Sequence, residues 1–263
     1  MSLKIGVAIS VYNKGAFVAT NLNVFKSVWK DVDPYVAVSC NDPETFKKLS
    51  MLKIDKLVEG LDITVNSKHD LRRRQYDTIK KSVTAAAENS DYVIHWHGDA
   101  FALDPKAIIK LIEHMKENNF LFAGRGFWKK HTNPKIPDGD IDDHFFILNS
   151  KHVRESGLYD DEEQVEYVAR LAQLGICSEG ILSHLVQKSV PEENVFIYSD
   201  MSECEVLPTS RIDPRYPDNV PRRTLPPVNL DPIRKFLHCD DMNHLERIFG
   251  ELNIDTSLIV RQL

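Results

Sequence analysis

The residues best placed to do chemistry close a single apolar run. Asp91-Tyr-Val-Ile-His-Trp-His-Gly-Asp99 reads as a buried strand that stops abruptly in His97-Gly98-Asp99. Asp104-Pro105 then reads as a helix N-cap and first helical residue, and Ile108, Leu111, Ile112 and Met115 recur at helical spacing. An imidazole and a carboxylate therefore lie between a strand and a helix, at the strand's carboxyl end, where open α/β sheets place their ligands. Such a pair can ligate a divalent cation, and the nitrogen donor favours Mn²⁺ over Mg²⁺, which prefers oxygen. The plainer alternative is that Asp99 caps a turn and His97 is an ordinary loop histidine.

Other candidates follow strand ends or helix starts. Ser10-Val11-Tyr12-Asn13 ends the first apolar run, where Tyr12 offers an aromatic face and Asn13 a paired donor and acceptor. Asn41-Asp42 ends the second. Asn13, Asn41 and Asp42 are also common turn formers. Arg72-Arg73-Arg74 opens a helix on which Arg72 shares a face with Tyr76, Ile79 and Val83, so Arg72 first and Arg73 second can reach a phosphate. Arg74 is adequately explained as part of a solvated basic face. Asp140-Ile-Asp142-Asp143-His144 precedes the apolar strand Phe145–Leu148, and its paired carboxylates fit a base, a second metal contact or simple solubility. The Gly/Pro-punctuated loop from Gly124 to Gly139 carries Trp128, and long ordered loops of this kind are often functional. Trp128 and His144 are the candidate acceptor contacts.

These residues need a frame of alternating strands and helices. Leu3–Ser10 is apolar on both faces, as a central parallel strand requires, and Val18, Leu22, Phe25 and Trp29 form a helical stripe after it. Tyr35–Ser39 is a second strand, Pro43 starts a short helix, and Leu57–Val65 offers one or two short strands. Tyr76, Ile79, Val83 and Ala87 mark the helix that leads into the strand carrying His97. The alternation predicts an α/β fold with a mostly parallel, doubly wound sheet and right-handed crossovers. Further on, acidic residues up to Glu163 precede a helix with Val165, Val168, Ala169 and Ala172, ended by Gly175. Acidic residues in a first helical turn are also favoured electrostatically. Proline and charge dominate from Leu207 to Pro232, and an amphipathic helix with Leu245, Ile248, Phe249 and Leu252 either docks on the body or binds a partner.

The strand ending in His97-Gly98-Asp99, the Asp104-Pro105 helix start and the Val11-Tyr12-Asn13 turn resemble the GT-A glycosyltransferases, in particular the family 2-like group. That group carries Asp-X-Asp where this chain has His97-Gly98-Asp99, and a Pro-Thr-Tyr-Asn-like turn where it has Ser10-Val11-Tyr12-Asn13. The resemblance implies a Rossmann-like GT-A domain over residues 1–206, with donor binding in 1–104, acceptor binding in 105–206, and an extended segment plus helix in 207–263. It implies a nucleotide-sugar donor, UDP-linked by expectation, held by Val11, Tyr12, Asn13, Asn41, Asp42, Arg72, Arg73 and Gly98. A Mn²⁺ or Mg²⁺ ion on Asp99 and His97 would neutralise the departing diphosphate. Glu163 first, and Asp143 or Asp142 second, would take the acceptor proton in a single inverting displacement.

Composition narrows the classes. A net charge of −6 and an isoelectric point near 5.9 disfavour a protein that coats nucleic acid through a broad basic surface. Cys40, Cys177, Cys204 and Cys239 are scattered without a CxxC, so neither a zinc site nor a disulfide framework is indicated, and a reducing cytoplasm is the expected home. No run is long enough to span a membrane and no leader is evident. The acceptor class stays open among glycan, lipid, protein, small molecule and modified nucleobase. Two other classes also stay open. A nucleotidyltransferase would want a denser glycine loop than Asn13-Lys14-Gly15. A non-catalytic nucleotide-sugar-binding protein would account for the histidine at position 97.

Overall fold

The computed structural model of the protein describes residues 3–127, 140–156, 178–200, 236–239 and 241–263. In chain order the elements are β1 (Ile5–Val11), α1 (Gly15–Ser27), β2 (Tyr35–Cys40), α2 (Pro43–Leu49), β3 (Lys56–Glu59), α3 (Lys68–Ala87), β4 (Tyr92–His97) and β5 (Ala100–Ala102). There follow α4 (Pro105–Glu117), β6 (Phe122–Phe127), β7 (Asp140–Asn149), α5 (Ser150–Ser156), α6 (Ser178–Ser189), β8 (Val195–Asp200), β9 (Phe236–His238) and α7 (Met242–Glu251).

Alternating side-chain size decides how the sheet is covered. Successive strand residues point to opposite faces. In β1, Ile5, Val7, Ile9 and Val11 enter one core cluster with α1, α4 and α7, whereas Ala8 enters the other, with α3 and α6. At β1 and β2 the second face is lined by small groups such as Ala8 and Ala37, and a side chain at Gly6 would come within 2.7 Å of Ser90 Oγ and 3.0 Å of the Ala86 carbonyl. This close approach lets α3 lie directly on β1 and β2. On the first face Trp29 and Trp96 pack 5.9 Å apart, and the Trp29 indole donates to the Ala102 carbonyl at 2.8 Å.

The strands form one sheet of order β3-β2-β1-β4-β7-β6-β8. β7 runs antiparallel to both neighbours and all other pairings are parallel, so the mostly parallel α/β sheet expected from the sequence is present. β5 and β9 form a separate antiparallel pair. The Asp104 cap forms as expected, its carboxylate accepting from Ala107 N at 3.2 Å. The amphipathic helix α7 docks on the body, with Leu245, Ile248 and Phe249 fully buried in the first cluster.

Some boundaries differ from expectation. Only Lys56–Glu59 pairs as a strand in the Leu57–Val65 region. Helix α3 begins at Lys68, a turn before the arginine triplet, because Ser67 Oγ accepts from Asp70 N at 3.1 Å and also donates to Asp70 Oδ2. Gly124–Phe127 belongs to β6 and not to a loop. Among the described residues no helix is long and apolar enough to cross a membrane.

Candidate active site at the strand carboxyl ends

β4 stops where its partner strand crowds it. A Cβ on Gly98 would lie 3.0 Å from Val11 Cγ2 and 3.3 Å from Val18 Cγ2, so the glycine permits the chain to turn against the end of β1. Gly98 N donates to the Ser10 carbonyl at 2.8 Å. From α1, the buried Asn21 amide donates to the carbonyls of Gly98 (3.1 Å) and Ala100 (3.0 Å). From the C-terminal segment, Cys239 N donates to the Asp99 carbonyl at 2.9 Å. The tip is thus clamped on both sides. Sequence reasoning missed Asn21, although a polar residue within the apolar stripe of Val18, Leu22 and Phe25 was a visible signal.

The Asp99 side chain is committed to a cation from this chain. Lys14 Nζ forms an ion pair with Asp99 Oδ2, and the carboxylate is 11% exposed against 34% for the lysine. Partial burial shields the pair from salt more than a surface pair would be. Lys14 precedes α1 and its ammonium lies 5.8 Å from the centre of the Phe17 ring.

Beside this pair, Tyr12 is 40% exposed and its ring lies 3.8 Å below the Arg74 guanidinium carbon. The arginine that sequence reasoning assigned to solvent therefore backs the aromatic face. The Cys40 thiol donates to the Tyr12 carbonyl at 3.2 Å, and burial pushes its pKa up to about 11, keeping that donor protonated. Asn13 is exposed. Asn41 is buried and its side chain is used internally, donating to the Leu61 carbonyl at 3.0 Å and accepting from Thr78. Asp42 caps α2, accepting from Thr45 N at 2.8 Å. Arg73 is exposed.

Arg72 points the other way from Arg74, as residues two apart on a helix do. It donates to Gln75 at 3.0 Å and, with Gln75, Tyr76, Asp143, Phe146 and Leu185, lines a cavity of about 30 Å³, room for a water or two. Asp143 reaches that cavity through an irregularity: β6 advances from Gly124 to Gly126 while its partner on β7 changes from Phe146 to Ile141. Bulges of this type re-aim side chains beside functional sites. His144 Nδ1 lies 3.2 Å from Asp143 Oδ1, with side-chain exposures of 20% and 2%, so the imidazole is the outward member. Its ring lies 4.7 Å from that of His97. His97, His144, Asp143 and Arg72 are thus brought into one neighbourhood, next to the turn that carries Asp99. An imidazole held beside a carboxylate is a competent proton acceptor.

His95 sits behind this group, 5.6 Å from the His97 ring and 4.7 Å from Phe146. Complete burial, and then the neighbouring His97, hold its pKa well below the ordinary imidazole value. The native protein keeps His95 neutral where the unfolded chain takes up a proton, so stability is full above about pH 6.5 and falls as pH drops below it. We expect wild-type unfolding free energy to decline on acidification by up to about 1.4 kcal/mol per pH unit from this residue, and His95→Phe to flatten that slope. Urea titrations from pH 7.5 to 5.5 test this, and equal slopes for the two proteins would refute it.

Glu163 and Trp128 lie outside the described residues, as does the side chain of Asp142. Among the described residues no group of three or more His, Cys, Asp or Glu side chains gathers to hold a metal. With the Asp99 carboxylate already paired to Lys14, the described side chains at the tip offer a divalent ion one imidazole and a carboxylate already shared, which does not fit a protein-held ion.

Sequence comparison finds no matching family model and no matching curated protein. Comparison of structures does find similar folds. The galactosyltransferase LgtC, in complex with donor and acceptor sugar analogs, aligns at a TM-score of 0.53 and 12% identity, over 90% of this chain and 87% of that one. Mouse xyloside xylosyltransferase 1, in its apo form, aligns at 0.50 and 14% identity, over 91% of this chain and 98% of that one. A 4-diphosphocytidyl-2C-methyl-D-erythritol synthase from Anaerococcus prevotii aligns at 0.45 and 15% identity, over 75% and 87%. The seven-strand, mostly parallel sheet with helices on both faces is a GT-A-like fold.

Proposed function

We propose that the protein is a glycosyltransferase that moves a sugar from a nucleoside-diphosphate sugar to an acceptor hydroxyl. The observation that carries this reading is the convergence at the carboxyl ends of β1 and β4. A nucleobase-sized aromatic face backed by Arg74 lies beside the Lys14–Asp99 pair, and His97 links that tip to the Asp143–His144 pair and Arg72. A flat aromatic surface, a fixed cation and a proton acceptor are the groups that transfer from a diphosphate leaving group requires. The GT-A-like fold is in keeping with it, since the two better-aligned structures are named as glycosyltransferases.

In this reading Tyr12 stacks the base, for which uracil is the expected choice, and the Asp143–His144 pair takes the acceptor proton. Trp128 is proposed to contact the acceptor. The manganese expected from the sequence does not enter the proposal, because Asp99 is occupied by Lys14. A hexose or pentose donor is part of the proposal, together with the single inverting displacement and the cytoplasmic location expected from the sequence.

Incubation with a panel of nucleotide sugars tests it, with release of nucleoside diphosphate as the readout and mass spectrometry of candidate glycan, lipid, protein, small-molecule and modified-nucleobase acceptors as the second arm. Slow sugar-dependent hydrolysis without acceptor, accelerated by one acceptor class, is the expected result. Release of pyrophosphate from a nucleoside triphosphate and a sugar phosphate would instead indicate a nucleotidyltransferase. Binding without any turnover across the panel would leave only a carrier of nucleotide sugars.

A further inference from the structure

We propose that Lys14 supplies, from the chain itself, the positive charge that holds the diphosphate, in place of a metal ion. The inference rests on the glycosyltransferase reading and concerns the same site.

It begins with a charge count. A divalent ion on two carboxylates is a neutral unit before substrate arrives. Here His97 stands where a second carboxylate would be, leaving Asp99 as the only acid of the His97-Gly98-Asp99 turn. One carboxylate balances one ammonium, and the ammonium is present: Lys14 Nζ is paired with Asp99 Oδ2. The two departures compensate each other. A divalent ion at this tip would have to displace a lysine already fixed there, and it would gain one carboxylate and one imidazole as protein donors.

The position suits the task. Lys14 follows Tyr12 by two residues, so a nucleotide whose base lies on the Tyr12 face presents its diphosphate toward the start of α1 and the Asp99 turn. The ammonium has three donors; Asp99 takes one direction, and with 34% of the side chain exposed the others can meet phosphate oxygens. Asp99 thereby orients Lys14, and the turn is held by the Asn21 side-chain amide on the Gly98 and Ala100 carbonyls and by Cys239 N on the Asp99 carbonyl. During transfer the bond between the anomeric carbon and the β-phosphate oxygen breaks and its electron pair stays on that oxygen, where Lys14 stabilises it. The acceptor oxygen forms the new bond to the anomeric carbon, and its proton passes to the Asp143–His144 pair. No charge is created that a neighbouring group does not receive.

Calorimetric titration of UDP, GDP and ADP, and of the nucleoside matching whichever binds, decides the matter. Each is titrated into the full chain in chelator and in Mn²⁺, for wild type, Lys14→Met and Lys14→Arg. We expect the wild type to bind one diphosphate in chelator with an affinity that Mn²⁺ changes by less than about threefold. Lys14→Met is expected to weaken the diphosphate by about tenfold or more, the scale of one lost charge-assisted contact, and to leave nucleoside affinity unchanged. Because Lys14→Met removes the ammonium from Asp99, part of that loss is expected to return on adding Mn²⁺, which a merely structural role for the lysine does not produce. Lys14→Arg keeps the charge and is expected to retain diphosphate binding within a few-fold. Wild-type binding that disappears in chelator would overturn the lysine assignment while leaving the glycosyltransferase reading intact. Diphosphate affinity in Lys14→Met equal to wild type in chelator would overturn it too. Failure of every nucleoside diphosphate to bind in either condition would overturn both.

Discussion

Replacing Asp143 with asparagine is expected to lower turnover by on the order of a hundredfold or more while leaving nucleoside-diphosphate affinity unchanged. The expectation follows from position. Asp143 is almost fully buried, faces the same cavity as Arg72, and has an oxygen 3.2 Å from Nδ1 of the more exposed His144. Asparagine keeps the shape but removes the charge that favours a protonated imidazole, so the pair loses its capacity to accept the acceptor's proton. Arg72 would lose a nearby anion at the same time, so thermal melting belongs beside the kinetics to separate an unfolded protein from an inactive one. A folded Asp143→Asn variant with near-wild-type turnover would move the base elsewhere, to Asp142 or Glu163, the other carboxylates expected from the sequence.

The second large effect is on stability. Phe249 on α7 is fully buried and meets Phe101 edge-on with ring centres 6.0 Å apart. Truncating such a ring typically costs about 3–5 kcal/mol, through lost burial and the cavity left behind. Phe249→Ala is therefore expected to shift the urea midpoint by that amount. Because Phe101 lies in β5 and β5 pairs with β9, the same change is expected to loosen the Cys239 to Asp99 bond and weaken nucleoside-diphosphate binding in the fraction still folded. A loss of stability below about 1 kcal/mol would mean that α7 contributes little to the core.

The local frame of the site was legible in the sequence because each part of it is written within a few residues. The apolar run before His97, the Asp104 cap and the stripe on α4 all obey short-range rules, and the structure has each of them. The start of α3 was also written locally, as Ser67 and Asp70 three residues apart. Arg74 was set aside because it lies off the face shared by Arg72 and Tyr76, and no short-range rule says that Tyr12 stands on that other side. Other features have no local signature. Lys14 and Asp99 are 85 residues apart and meet only because β1 and β4 are neighbours in the sheet. In sequence the Asp142-Asp143 pair fits a base, a metal contact or simple solubility alike, and it is the slipped register between β6 and β7 that turns Asp143 inward. Asn41 and Asp42 show the reverse: turn-forming residues in the expected place whose side chains serve Thr78, Leu61 and the α2 cap.

The backbone bond from Cys239 to Asp99 also sets an order of events during synthesis. Strands β1 to β4 leave the ribosome early and can pair while translation continues, as amino-terminal parts generally do. The turn bearing Asp99 then exists with the Asn21 bonds but without the Cys239 bond until the end of β9 has been made. A partly made chain can therefore possess the Tyr12 face and the lysine before it possesses the clamped turn beside them, so on the proposed reading the competence to grip a diphosphate would arrive late in translation.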